Sequence, residues 1–342
     1  MVKWIPQNGA SSRVPRESSG RPCTRPSGDR TLKVRTGSNG VHLFDRRTGL
    51  NVLLDEIKPG PESWSRGPRH VSIAVTNACD LSCEYCYAAK APAQIDADAV
   101  VRWARELDDA GCFGIGFGGG EPTLYPRFPE LCRRIHNETS LAVTFTTHGH
   151  RLSPQIVSEL SGVTSFIRLS MDGLDATYER LRGRSFDRFK QQMEYVKAIA
   201  PFGINYVVNG ETITDLPRAA DFTFSSGAQE LLLLPETGVN GELVAGDAVI
   251  QEMSAWARAN YGRVRLATSA FAAGVIECPI LTPESEDATF DFMHVDALGV
   301  LKRSAFELDG LLLGSGASIL AGIETIRRRH QSGALLHERR QG

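Results

Sequence analysis

Six short apolar, largely β-branched runs lie between residues 70 and 235, and helical patterns alternate with them. The runs are HVSIAVT (70–76), CFGIGFGG (112–119), LAVTFTTH (141–148), TSFIRLSMD (around 165), FGINYVVN (202–209) and QELLLLP (229–235). Between them fall a stripe of Val100, Trp103, Leu107 and Ala110 with Asp96 as N-cap and Gly111 as stop, a second of Phe128, Leu131, Cys132 and Ile135, a short helix at 153–160, a third stripe of Phe186, Phe189, Met193 and Val196, and a helix around 216–225. Strands that each need a helical crossover are parallel. Runs that are apolar on both faces belong to a sheet covered by helices. Without a closing seventh and eighth unit, the pattern predicts an α/β protein built on a partial (β/α)6 TIM-like barrel. In such folds function gathers at the C-terminal ends of the strands.

The flanks read differently. Residues 1–30 are rich in Ser, Pro, Gly and Arg and are expected to form a disordered, locally basic tail in which Cys23 is a bystander. Residues 31–69 are expected to hold a small β unit (LKVRTG, GVHLF, LNVLLDE) and a Pro/Gly linker, with turns at Ser38-Asn39-Gly40 and Arg47-Thr48-Gly49. The barrel occupies 70–236. Residues 237–342 form a small α+β extension: a helix around 246–260, the run RVRLAT, a hairpin over 290–304 around Gly299, a helix around 317–330 and a basic tail. Lys and Arg number 38 against 40 Asp and Glu, a net charge of −2. So balanced a chain is not built to coat nucleic acid or an anionic membrane. No run is long and apolar enough for a membrane span, and no secretory h-region opens the sequence.

The first barrel run passes directly into Asn77-Ala78-Cys79-Asp80-Leu81-Ser82-Cys83-Glu84-Tyr85-Cys86. Three thiolates within eight residues converge on one point and suit either zinc or an iron–sulfur cluster. Structural zinc wants four ligands, and no second C-x2-C knuckle exists; the remaining cysteines are scattered at 23, 112, 132 and 278. A cluster held by three cysteines leaves one iron open to a substrate or cofactor.

This C-x3-C-x-aromatic-C loop, followed after the next run by Gly118-Gly119-Gly120-Glu121-Pro122, resembles the radical S-adenosylmethionine (SAM) superfamily across about 70–235. The resemblance implies a [4Fe-4S] cluster on Cys79, Cys83 and Cys86, with SAM on the open iron. One electron then cleaves SAM, and the 5′-deoxyadenosyl radical abstracts a substrate hydrogen. It places Tyr85 beside the adenine and Gly119, Gly120 and Glu121 at the SAM ammonium, the glycines allowing close backbone approach. Ser170 and Asp172 match a segment that touches SAM ribose or carboxylate. Arg182 pairs with the SAM carboxylate or with a surface acid, and Asn209 falls at the adenine. His148 departs from the family's Thr-Asn-Gly; it is either a polar or titrating site group or a structural histidine. Glu236 is a candidate for the substrate site.

Many relatives with a GGGEP segment carry a cysteine-rich extension holding further clusters. Here Ser304 and Ala305 stand where thiolates might have been, and Cys112 and Cys132 read as core, so a single cluster is expected. Cys278 is either a loop or core cysteine or a hydrogen-atom donor to the substrate radical. The resemblance implies a flavodoxin- or ferredoxin-type electron donor, a peptide or small-molecule substrate of natural-product biosynthesis and, for an exposed oxygen-sensitive cluster, a cytoplasmic setting. With no second cluster to accept an electron, a redox-neutral outcome is expected: epimerisation, decarboxylation or rearrangement. The alternatives are oxidative peptide cross-linking, or a non-enzymatic zinc module with Arg-rich tails on RNA.

Overall fold

The computed structural model describes residues 32–262, 265–269, 272–276, 288–314 and 316–330, and the backbone of 2–4 and 331–341. Cys23, Cys278 and Pro279 lie outside the described residues. In chain order the main elements are β1 (Val2–Trp4), β2 (Leu32–Gly37), β3 (Gly40–Asp45), β4 (Asn51–Leu54), β5 (His70–Thr76), α1 (Ala97–Asp109), β6 (Gly114–Gly119), α2 (Phe128–Glu138), β7 (Ala142–Thr147), α3 (Pro154–Leu160), β8 (Phe166–Ser170), α4 (Asp175–Arg182), α5 (Phe186–Ile199), β9 (Phe202–Val208), α6 (Leu216–Ser225), β10 (Leu231–Pro235), α7 (Asp247–Asn260), β11 (Leu266–Ser269), β12 (Phe292–Val295), β13 (Val300–Lys302), β14 (Leu311–Leu312) and α8 (Ile319–Gln341).

All six expected strands form, in sequence order, as parallel neighbours β5 to β10. Their helices start where local chemistry dictates. Asp96 accepts from Ala99 N at the head of α1, and Ser153 accepts from Ile156 N at the head of α3, each satisfying an orphan helix donor. The core is continuous: Val71, Ile73, Ile115, Val143, Ile167, Leu169, Ile204 and Leu231 are fully buried beneath Trp103, Leu107, Leu131, Ile135, Phe189 and Met193 from the helices.

Three expectations need correction. The sheet gains two further parallel strands from the extension, β11 beside β10 and β12 beside β5. It still does not close, because its ends are β1 and β14. Next, Val2–Trp4 lies within the expected disordered tail yet pairs antiparallel with β11; a composition averaged over thirty residues hides a three-residue run. Finally, the basic end is helical, since α8 continues to Gln341. Two helices, α4 and α5, also follow the fourth barrel strand where a single stripe was legible.

The β2–β3–β4 sheet inverts the usual alternation. Lys33 and Arg35 of β2 are buried, while Leu32 and Val34 are more than half exposed. Lys33 pairs with Asp108, and Arg35 donates to the carbonyls of Gly67 (2.6 Å) and Phe290 (2.9 Å). The buried cations thus cap backbone carbonyls that would otherwise be orphaned. Burial pulls the Arg35 guanidinium down to about 10.

Arg327, in the basic run Arg327-Arg328-Arg329 of α8, is buried. It lies 3.7 Å over the Phe290 ring and donates to Thr289 Oγ1 (3.0 Å), Thr289 O (3.0 Å) and Arg66 O (2.6 Å). Arg327→Met keeps the volume but strands those acceptors, so it is expected to destabilise the fold by about 3 kcal/mol. Arg328→Met, at an exposed neighbour, is expected to fall within about 0.5 kcal/mol of wild type in the same chemical denaturation.

Candidate functional site

The residues singled out from the sequence and described here sit at the C-terminal ends of six adjacent parallel strands. The cysteine loop leaves β5, Gly120 and Glu121 follow β6, His148 follows β7, Ser170 ends β8, Asn209 follows β9 and Glu236 follows β10.

A polar stem closes the cysteine loop. Asn77 N and Thr76 Oγ1 donate to Ala93 O, and Asn77 Nδ2 donates to Ala91 O at 2.8 Å. Leu81 anchors the loop in the core. Cys79 is exposed, Cys83 and Cys86 are half-buried, and all three are free thiols. The other described cysteines, Cys112 and Cys132, are fully buried in the core, and burial raises both thiols away from the reactive thiolate.

The glycine segment is bolted to this loop. Gly120 N donates to Thr76 O and Glu121 N to Ala78 O, both at 2.8 Å. A Cβ on Gly119, whose φ is +112°, would lie 2.2 Å from Thr76 O; one on Gly120 would lie 2.2 Å from Ala78 O. Close approach to a ligand is the expected reason for these glycines. The structure supplies a different one, because their neighbour is the backbone leading into Cys79. At Gly118 an added Cβ would meet nothing within 4 Å, so there the strand faces open space.

Glu121 is 1% exposed. Its Oε1 accepts from Thr147 Oγ1 (2.7 Å), Thr123 Oγ1 (2.6 Å) and Thr123 N (3.2 Å), and its Oε2 accepts from His148 N at 3.0 Å. A buried carboxylate wired to this many donors is held for a purpose other than solvation. His148 Nε2 stands 3.0 Å from Asp80 Oδ1 and 3.3 Å from Glu121 Oε2. It therefore bridges the cysteine loop to the glycine segment. Thr147 and Asp80 carry no role in the sequence reading. Thr147 was legible only as the residue before His148, and Asp80 lies at an unconstrained position between two cysteines.

A second hub forms around Asp172, which is fully buried. Its Oδ1 accepts from Val207 N (2.7 Å), and its Oδ2 accepts from Tyr85 Oη (2.6 Å) and from Arg182. Arg182 also donates to Cys83 Sγ at 3.8 Å and stands over the Tyr85 ring at 5.9 Å. Its Nε is buried without a hydrogen-bond partner. Burial alone would lower the Arg182 guanidinium, but Asp172 and Tyr85 carry it upward; burial and then Asp172 push the Tyr85 phenol up. Asp172 and Arg182 thus satisfy each other, where the sequence expectation put Asp172 at SAM and Arg182 at SAM or at an acid. Asn209 is similarly engaged: its Oδ1 accepts from Glu211 N and Thr212 N, both at 3.0 Å, which caps the loop after β9. Ser170 and Glu236 are half-buried.

Among the described residues, the set of three potential ligands gathered within 4.8 Å is Cys79, Asp80 and His148. The three cysteine sulfurs do not form such a set. Three thiols on one loop carry the donor chemistry of an iron–sulfur cluster. The thiols, the open face at Gly118 and the orphaned donor of Arg182 all fit a cluster with an organic ligand beside it. No described helix is long and apolar enough to cross a membrane.

Comparison with known proteins places these features in context. The family described as the radical SAM superfamily matches residues 73–223. The sporulation killing factor maturation protein SkfB of Bacillus subtilis is 28% identical over 212 residues, covering 51% of this chain and 50% of that protein. The mycofactocin maturase MftC of Mycobacterium tuberculosis is 27% identical, covering 49% and 45%. The chain thus spans about half the length of these relatives, and less of others. The crystal structure of Streptococcus suis SuiB bound to precursor peptide SuiA superposes with a TM-score of 0.66 at 16% identity, covering 85% of this chain and 86% of that one.

Proposed function

Residues 73–223 are a radical SAM domain, and from that premise we propose that the chain is a radical SAM enzyme acting on a ribosomally made peptide. The observation that carries the reading is the hydrogen-bonded union of the cysteine loop with Gly120 and the buried Glu121. Cys79, Cys83 and Cys86 would hold a [4Fe-4S] cluster, and Glu121 would receive the SAM ammonium. When bound, the cluster and SAM supply reductive cleavage of the sulfonium to a 5′-deoxyadenosyl radical. The chain's own residues do the positioning. Thr147, Thr123 and His148 fix the Glu121 carboxylate, and Arg184 holds Asp80 O at 2.8 Å, so the loop's path is set before any ligand arrives.

A peptide substrate is supported by the maturation proteins among the relatives and by the fold shared with a peptide-bound structure. One cluster per chain and a redox-neutral outcome are supported by the core burial of Cys112 and Cys132. A flavodoxin- or ferredoxin-type protein would supply the electron. Anaerobic reconstitution with iron and sulfide tests the proposal. The expected result is a brown protein with about four irons and four sulfides per chain, releasing 5′-deoxyadenosine with dithionite and SAM. A colourless protein that retains zinc and releases none overturns it. A count near eight overturns the single cluster alone.

A further inference from the structure

Arg182 joins Asp172 to Cys83, which lies 99 residues before it in the chain. It closes α4, and the next residue, Gly183, turns left-handed at φ +62° and ends the helix. The side chain is 11% exposed. One arm of its guanidinium, Nη2, pairs with Asp172; the other, Nη1, donates to Cys83 Sγ at 3.8 Å. Asp172 cannot swing away, because Val207 N and Tyr85 Oη hold its two oxygens at 2.7 and 2.6 Å. The fork geometry of guanidinium lets one side chain serve both partners at once, which a lysine ammonium cannot reproduce.

We infer that Arg182 is a positioning residue that holds Cys83 and sets the reduction potential of the metal group bound there. This rests on the proposed role of the three cysteines as cluster ligands. Reduction by one electron adds negative charge to a cluster and its sulfurs. A fixed cation and an N–H donor at one ligand sulfur in a partly buried site stabilise the reduced form more than the oxidised form. Arg182 therefore raises the potential at which the electron is accepted. Asp172 orients the guanidinium but lies on its far arm, and Tyr85 shares that carboxylate, linking Cys86 to the same hub through its chain neighbour.

The test is an EPR-monitored redox titration of anaerobically reconstituted full-length protein without SAM, so that activity plays no part. Arg182→Met is expected to lower the midpoint enough to cut the reduced-to-oxidised ratio about tenfold at the wild-type midpoint, equivalent to ~59 mV for one electron. R182K is expected to fall between the two. Because Arg182→Met leaves Asp172 charged and buried, the double variant Arg182→Met/Asp172→Asn removes that charge, and a lowered midpoint there too supports the inference. Variants that assemble the cluster with an unchanged or higher midpoint overturn it. Wild-type protein that assembles no cluster overturns the assignment of the cysteines instead.

Discussion

Gly120→Ala is expected to destabilise the protein by about 3 kcal/mol and to strip its capacity to hold iron, whereas Gly118→Ala, two residues earlier, leaves stability within about 0.5 kcal/mol of wild type. The added methyl at 120 would lie 2.2 Å from Ala78 O, 2.6 Å from Ala78 C and 2.7 Å from Asn77 O. Every one of those atoms is backbone, so no flexible side chain can yield. Relief requires Asn77 and Ala78 to move, and these residues set the exit of the chain toward Cys79. The same shift breaks the 2.8 Å bond from Glu121 N to Ala78 O. At Gly118 a methyl meets nothing within 4 Å. Denaturant titration of both variants, with iron content after reconstitution, checks the claim. Equal stabilities would show that the loop is pliant and the glycines are not packing devices.

Acid is expected to unfold the chain well before its carboxylates titrate. His42, His150 and His294 are buried, and burial lowers each imidazole to about 4. Nearby Arg69 and Arg35 add to the effect at His42, His148 at His150 and Lys302 at His294, while the hydrogen bond from His42 to Asn51 Oδ1 and the charge of Asp296 at His294 oppose it. In the unfolded chain these groups bind protons near 6.5. The unfolded state therefore carries more protons between pH 6.5 and 4. Stability is whole above that window, falls as pH drops through it and levels off below about 4. Each histidine contributes about 3 kcal/mol of loss across the window. Together they approach the whole stability of an ordinary domain. Denaturant midpoints measured from pH 8 to pH 4 would show the fall. A flat profile down to pH 5 would mean that these imidazoles take up protons in place.

The parallel strands were legible because a strand covered on both faces must be apolar along its whole length, and no other element of comparable length reads that way. Asp96 and Ser153 were legible as helix starts because capping is a local, side-chain-to-backbone event. β11 and β12 were not legible as barrel strands. Each is four residues long, and its place beside β10 or β5 is decided by tertiary pairing alone. In the site, the loop of Cys79, Cys83 and Cys86 and the Gly119-Gly120-Glu121 segment stand out because each is a contiguous run. The hub of Tyr85, Asp172 and Arg182 does not, since Asp172 lies 87 residues along the chain from Tyr85 and Arg182 lies 99 from Cys83. For the same reason the sequence does not show that the Asp172 oxygens meet Val207, Tyr85 and Arg182. Alternating burial failed at β2 for a related reason. Lys33 and Arg35 face inward to find carbonyls and an aspartate that belong to distant segments.

The placement of β11 and β12 on opposite margins of the parallel sheet sets how the chain can be cut. A fragment trimmed to residues 73–223 would lose β10 and with it the amide pairing along one edge of β9, together with the entire outer neighbour of β5. β9 and the remnant of β5 would then present bare N–H and C=O groups to any passing chain, the condition that turns sheets sticky. Expression boundaries for this protein therefore belong outside its flanking strands, and a minimal excised core would be lost to self-association before its chemistry could be assayed.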